Sequence, residues 1–305
     1  MAMVELDHGA VKRQRVTAVE SALANIDVVS HLASFLEAKD LCHVKATCKA
    51  LGSANNDVAV NGLSMVEEAA RRIYEGASDE EKAMLPRHIG ESWIELYHHL
   101  LMLRSRLTFD QLVGTFVEYR GGDKAAVQGR RVNGRPRFSQ AICGNHIMRA
   151  GKHWATFKSS SRFQSFQFVG IIRPLPGWEK RGSYRFNPAL DDFNADLLQE
   201  RTGRWEGDVH FCQLFVSTAD GSCWWSDWTG DRTKMSNWEG RGDYDSDCIT
   251  LGILLDLDEG TLSVYQNGRR VGTLKDGLAG EYCWIAGFFS EGDVSIQRGY
   301  NVNTL

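Results

Sequence analysis

The stretch from Ile249 to Leu274, ITLGILLDLDEGTLSVYQNGRRVGTL, restricts the fold more than any other part of the chain. Leu251, Ile253, Leu255 and Leu257 occupy every second position, so they fall on one face of a pleated strand. Asp258-Glu259-Gly260 breaks the run, and Leu262 and Val264 resume it. Asn267-Gly268 then gives the strongest short hairpin signal, because a two-residue type I′ turn needs positive φ at both positions. Val271 and Leu274 continue on the return strand. The pattern predicts three consecutive antiparallel strands with one apolar face, and that face needs a second sheet to cover it.

The same residues, LLDLDEGTLSVYQNGRRVGTLKDGL, resemble the signature block of SPRY (B30.2-like) domains, including the closing Gly277-Leu278-Ala279-Gly280. Gly151-Lys152-His153-Trp154 is similar to the family's GxHYWE strand, with Ala155 and Thr156 departing from it at the second aromatic and the acid. Val169-Gly170-Ile171-Ile172 is similar to the strand that follows, and Tyr282 to Ile296 to the closing pair. The resemblance implies an antiparallel β-sandwich of the concanavalin-like jelly-roll kind over residues 109–300. Eight of the nine tryptophans lie between Trp154 and Trp284, and short apolar runs alternate there with Gly, Asn and Asp clusters, as a sandwich requires. Pro174 to Gly207 is longer and less regular, and is expected to be a surface insertion.

Upstream, the periodicity is helical. Val28, Leu32, Phe35 and Leu36 mark one face. Asp40 is placed to cap a second helix carrying Leu41, Val44, Cys48 and Leu51, with Gly52 ending it. Leu32, Ser34, Phe35, Leu36, Lys39, Asp40, Leu41, Cys48 and Lys49 resemble an F-box in register. Asn25-Ile26 stands where that family has Leu-Pro, and Leu51 where Trp is common. Farther on, Leu63, Val66, Ala70 and Ile73 form a stripe, Ser78-Asp79-Glu80-Glu81 reads as a helix start, and Trp93, Leu96, Leu100 and Leu103 form another stripe. The expected organisation is a flexible tail over 1–19, an F-box-like helical pair over 20–54, a helical connector over 55–108 and the sandwich: an α+β chain.

Composition excludes little but agrees. A hydrophobic share of 43 % and a charged share of 24 % are ordinary for a globular protein, and 305 residues hold about two domains. A net charge of −4 argues against nucleic acid or an anionic membrane as a general partner. No apolar run reaches the roughly 18 residues of a membrane span, and the first twenty residues lack a signal peptide's apolar centre. Lys12-Arg13-Gln14-Arg15 offers a short basic run of nuclear-signal type. Seven scattered cysteines, never spaced C-x-x-C, are expected to be reduced, so the compartment expected is cytoplasm or nucleus.

Motifs for chemistry are sparse. Asp243-Tyr244-Asp245-Ser246-Asp247 opens like an EF-hand loop, but Cys248 and Leu254 stand where Gly and Glu are needed. Adjacent His98 and His99 point about 100° apart on a helix and do not share a metal. Trp224-Trp225-Ser226-Asp227-Trp228 is expected to be a strand with alternate rings in the core. Tyr119 to Phe138 carries Arg120, Lys124, Arg130, Arg131, Arg135 and Arg137 against Asp123 alone, and is expected to be a solvated loop or hairpin. No catalytic residue, metal ligand or cofactor is expected.

The two resemblances together imply a substrate-recognition subunit of a cullin–RING (SCF-type) ubiquitin ligase. Leu32, Phe35, Leu36, Leu41 and Val44 would dock on a Skp1-type adaptor. A protein or peptide substrate would bind at the loop between the last two strands, through Phe289, Ser290 and Glu291; alternation turns one of Phe288 and Phe289 inward and the other outward. The alternatives are a plain interaction module with no ligase role, and a glycan-binding or glycan-processing sandwich.

Overall fold

The computed structural model describes residue 23 and residues 25–54, 62–130, 138–160, 167–181, 186–188, 191–216, 221–228, 234–245 and 247–299. The chain divides into two compact units, Met1–Arg104 and Ser105–Leu305. The expected tail over 1–19 lies outside the described residues.

The first unit is helical. Helix α1 spans Ile26–Ala33 and α2 spans Ala38–Thr47. The side chain of Asn25 accepts from the backbone N–H of Asp27 at 2.9 Å and caps α1. The buried residues of α1 are Val29 and Ala33. The other row stays outward: Val28 is 39 % exposed, Leu32 48 % and Phe35 74 %, while Leu36 is half-buried. Two interleaved apolar rows run along this helix, and packing against the next helices selects the smaller one. Asp40 does not cap α2. Glu37 precedes the helix, and Asp40 reaches back to accept the Glu37 N–H at 3.3 Å. Nor does α2 run to Gly52. Cys48 is extended, and a separate short helix α3, Lys49–Gly52, buries Leu51.

Helix α4, Met65–Glu75, starts at Ser64 and buries Met65, Val66, Ala69 and Ala70. Helix α5, Asp79–Met84, has Ser78 and Glu81 bonded reciprocally, at 3.2 Å and 2.9 Å. Helix α6, Trp93–Arg104, buries Ile94, Tyr97, Leu96, Leu100 and Leu103. Glu67 joins three segments. It accepts from the backbone N–H of Trp93 at 2.8 Å, satisfying the start of α6, and from Lys45 Nζ of α2 at 2.6 Å. Glu68 is buried beside Arg71 and Arg72, whose guanidinium groups lower its pKa.

Among the described residues the second unit is a sandwich of two seven-stranded sheets, every pairing antiparallel. In spatial order the first holds β1 (Gln111–Val113), β4 (Ser139–Ile142), β13 (Cys283–Phe288), β6 (Gln167–Ile172), β7 (Val209–Phe215), β8 (Cys223–Asp227) and β9 (Lys234–Ser236). The second holds β12 (Arg269–Lys275), β11 (Thr261–Gln266), β10 (Thr250–Asp256), β5 (Lys152–Lys158), β14 (Gly292–Arg298), β3 (Asp123–Gly129) and β2 (Val117–Arg120). The three strands expected over Ile249–Leu274 are β10, β11 and β12. Leu251, Ile253 and Leu255 are fully buried with Leu262 and Val264, against Val169, Ile171, Leu214 and Trp284. Asn267 and Gly268 have φ of 50° and 76°, as a type I′ turn demands. Asp256 Oδ1 accepts the N–H groups of Asp258 and Glu259, both at 3.2 Å, and closes the other turn.

The stretch Pro174 to Gly207 is not a solvated insertion. Leu175, Trp178, Phe186, Leu197 and Trp205 pack with Ile172, Phe211 and Ile285 in a second apolar cluster. Residues on these strands alternate between the two clusters, so the stretch covers the outer face of the first sheet with a further layer, including helix α7 (Asp191–Glu200). Arg173, fully buried, ties that layer down. Its guanidinium donates to the carbonyls of Ala279 (2.8 Å), Glu281 (3.0 Å) and Glu206, and lies 4.0 Å from the centre of the Tyr282 ring. Burial pushes its pKa down to about 10.

Candidate partner-docking sites

The helical unit carries an apolar groove. Leu23, Val29, Leu32, Leu36, Leu41 and Val44 contribute to its lining, with Leu51 and Val66 behind them. Beside it stand Val28, Leu32 and Phe35, spaced one turn apart along α1 and the turn that follows. The Phe35 ring rests edge-on against His31, with centroids 5.1 Å apart. Of the five residues expected at this surface, Leu32 and Phe35 are exposed, and Leu36 and Val44 are half-buried in the groove wall. Leu41 is 2 % exposed. It belongs to the core beneath the groove, because α2 turns it toward Val29 and Val66. Val28 extends the surface beyond the expected set.

The second site lies at the loop between β13 and β14. Phe288, 1 % exposed, points into the sandwich core. Phe289 turns the other way and is half-buried against Phe138, with centroids 4.4 Å apart. Ser290 is half-buried and Glu291 exposed. Asp293 fixes the base of the loop. It pairs with Arg120 at 2.7 Å and accepts from the Ser160 N–H and hydroxyl at 2.9 Å and 2.7 Å. A short loop held this way presents its side chains with little ordering cost on binding.

The aromatic pair opens a row across the first sheet. Phe138 meets Phe168 at 6.1 Å, Phe168 meets Phe215 at 5.3 Å, and Phe215 meets Trp224 at 5.0 Å. Met235, 60 % exposed, lies opposite Trp224 on β9. Gly287 makes the row possible: a Cβ there would stand 1.7 Å from the Phe168 ring. The sequence shows these rings only as residues scattered over five segments, and strand order alone brings them together. The Trp224–Trp228 run divides accordingly. Trp224 joins the row, Trp225 packs on the main core, and Trp228 stacks on Trp205 at 5.8 Å.

Burial displaces the enclosed histidines and two of the thiols of this unit. His153 and His210 are each pushed down to about 4, and the Cys143 and Cys283 thiols are pushed well up. The EF-hand-like aspartates serve turns: Asp245 Oδ1 accepts the Asp247 N–H at 2.9 Å, and Asp243 faces Arg269 at 3.6 Å. In the basic stretch Arg120 pairs with Asp293 and Arg130 with Glu118, both at 2.7 Å, while residues 131–137 lie outside the described set. Among the described residues no helix is long and apolar enough to cross a membrane.

No family model matches this chain, and no curated protein does. Solved structures do. The TRIM65 PSpry domain is similar at 18 % identity over 66 % of this chain and 95 % of that one, with a TM-score of 0.40. The SPRY domain of human HERC1 is similar at 14 % identity over 63 % and 98 %, with a TM-score of 0.38. Stonustoxin is similar at 12 % identity over 63 % of this chain and 26 % of its own, with a TM-score of 0.37. At such identities and scores these likenesses carry no functional weight.

Proposed function

We propose that this chain is a non-catalytic protein-interaction subunit, the substrate receptor of a cullin–RING ubiquitin ligase. The helical unit docks on a Skp1-type adaptor, and the SPRY-like sandwich holds a protein or peptide segment. The observation that carries the reading is the row Val28, Leu32 and Phe35, exposed beside a groove lined by apolar side chains. A helical unit that has already buried Val29, Leu41, Val66 and Leu100 has no internal use for a Phe at 74 % exposure. A partner that covers it gains apolar burial of the kind that forms hot spots. The F-box-like register of Leu32 to Lys49 supplies the identity of that partner.

The mechanism is proximity. A receptor that holds substrate at one end and the ligase at the other raises the effective concentration of substrate lysines near the transferring enzyme. The Phe289–Phe138 pair, with Ser290 and Glu291 beside it, offers apolar area and polar partners together, the mixture that interface centres use. Co-precipitation of the full chain with a Skp1-type adaptor tests the reading; Phe35→Asp removes the interaction if it is right, and a wild-type chain that fails to bind overturns the ligase role.

One observation favours the plain-module reading: Asn25 caps α1 where the F-box pattern has Leu-Pro. If that reading holds, the groove and Phe35 meet a different protein, and the sandwich keeps its peptide site.

A further inference from the structure

One group of metal-ligating side chains converges among the described residues: Glu91, Glu95 and His99, one donor atom of each lying within 4.8 Å of the others. The spacing explains the convergence. Glu95 and His99 sit one turn apart on α6, so their side chains share a face. Glu91 lies a further four residues back, in the segment that leads into the helix. That segment is itself held in place. Glu91 Oε2 accepts from the His88 N–H at 3.1 Å, and the Glu91 carbonyl accepts from Arg87 Nη2 at 2.8 Å. The adjacent His98 is not one of the three.

Two features separate this group from an ordinary acidic patch. Glu91 is 1 % exposed and His99 7 %, so a carboxylate and an imidazole face each other away from water. His99 Nε2 and Glu91 Oε1 are 3.9 Å apart, beyond hydrogen-bond reach. Two ligands of one tetrahedral zinc ion, each about 2.1 Å from it, stand about 3.4 Å apart, so this pair closes by about 0.5 Å and donors at the 4.8 Å limit of the group by about 1.4 Å. Two carboxylates carry the charge that a divalent cation neutralises. The imidazole selects against Mg2+ and Ca2+, which take oxygen ligands, and in favour of the zinc class.

We propose that Glu91, Glu95 and His99 bind a single Zn2+ ion, with water at the fourth position on the half-exposed Glu95 side. The ion fastens the segment before α6 onto the helix and so stiffens the helical unit.

The full chain, stripped with chelator, is titrated with Zn2+ by calorimetry and with Co2+ by absorption, alongside Glu95→Gln and His99→Gln. The expected result is one ion per chain, a higher melting temperature with Zn2+ than without, and Co2+ bands in the visible without thiolate charge transfer in the near ultraviolet. Each substitution weakens binding about tenfold or more while the helical circular dichroism is kept. Absence of binding overturns the proposal. So does equal binding by wild type and variants, or a thiolate band, either of which assigns the metal to thiols such as the exposed Cys42. If a variant fails to fold, the wild-type stoichiometry and Co2+ spectrum decide alone.

Discussion

Phe288 and Phe289 are neighbours in sequence with opposite surroundings, and alanine at each gives a matched test of the loop site. Phe288 is 1 % exposed inside the sandwich core. Its truncation removes a buried ring and leaves a cavity, which costs about 3–5 kcal/mol. Phe289 is half-buried, and its ring packs on that of Phe138 with centroids 4.4 Å apart. An aromatic pair is worth about 0.5–1.5 kcal/mol beyond its area, so with partial burial the loss is about 1–2 kcal/mol. For a unit of about 200 residues, 1 kcal/mol moves the melting temperature by roughly 2–4 °C. Phe288→Ala is therefore expected to lower it by about 6–20 °C, and Phe289→Ala by about 2–8 °C. Tryptophan fluorescence reads this unit selectively, since eight of the nine tryptophans lie between Trp154 and Trp284. Equal destabilisation by the two substitutions would make Phe289 a core residue and refute the argument that this loop presents a binding ring.

Other outcomes follow from single contacts. His153 and His210 are held neutral in the folded sandwich, each near 4 against an ordinary value near 6.5. The unfolded chain binds their protons first, so the sandwich loses stability as pH falls from about 6.5 toward 4. That is about 2 kcal/mol for each histidine by pH 5, read from urea midpoints of tryptophan fluorescence at the two pH values. In the helical unit Glu81, held at about 2 by the Arg104 guanidinium, keeps its contribution until pH falls below about 4.5. Glu67→Gln weakens the contacts to Lys45 and to the start of α6, and should cost that unit about 1–3 kcal/mol by circular dichroism. Arg173→Met strands three backbone carbonyls, and should lower the sandwich melting temperature by more than 5 °C.

The sandwich was legible where one physical rule acts alone. Leu251, Ile253 and Leu255 alternate, Asn267-Gly268 turns, and no competing pattern shares those positions. The inward row of α1 was not legible, because Val28–Leu32–Phe35 and Val29–Ala33–Leu36 both satisfy helical spacing. Contact with the helices that follow decides that Val29 and Ala33 of the second row are buried. Leu41, 2 % exposed, lines the groove from its core side. The layer over Pro174–Gly207 was missed because Trp178, Phe186, Leu197 and Trp205 follow no period; what unites them is the outer face of the first sheet. The aromatic row fails in the same way, since Phe168, Phe215 and Trp224 meet through strand order. Local signals fix turns and strands, while faces shared between distant segments depend on packing.

The central claim rests on Phe35, and affinity for a Skp1-type adaptor tests it most directly. Surface plasmon resonance with the full chain immobilised compares wild type with Phe35→Asp, whose ring is 74 % exposed and holds no core in place. The account predicts specific binding by wild type, a loss of about thirty-fold or more in the variant, and an unchanged tryptophan melting curve. Absence of wild-type binding, or equal binding by Phe35→Asp, would contradict it.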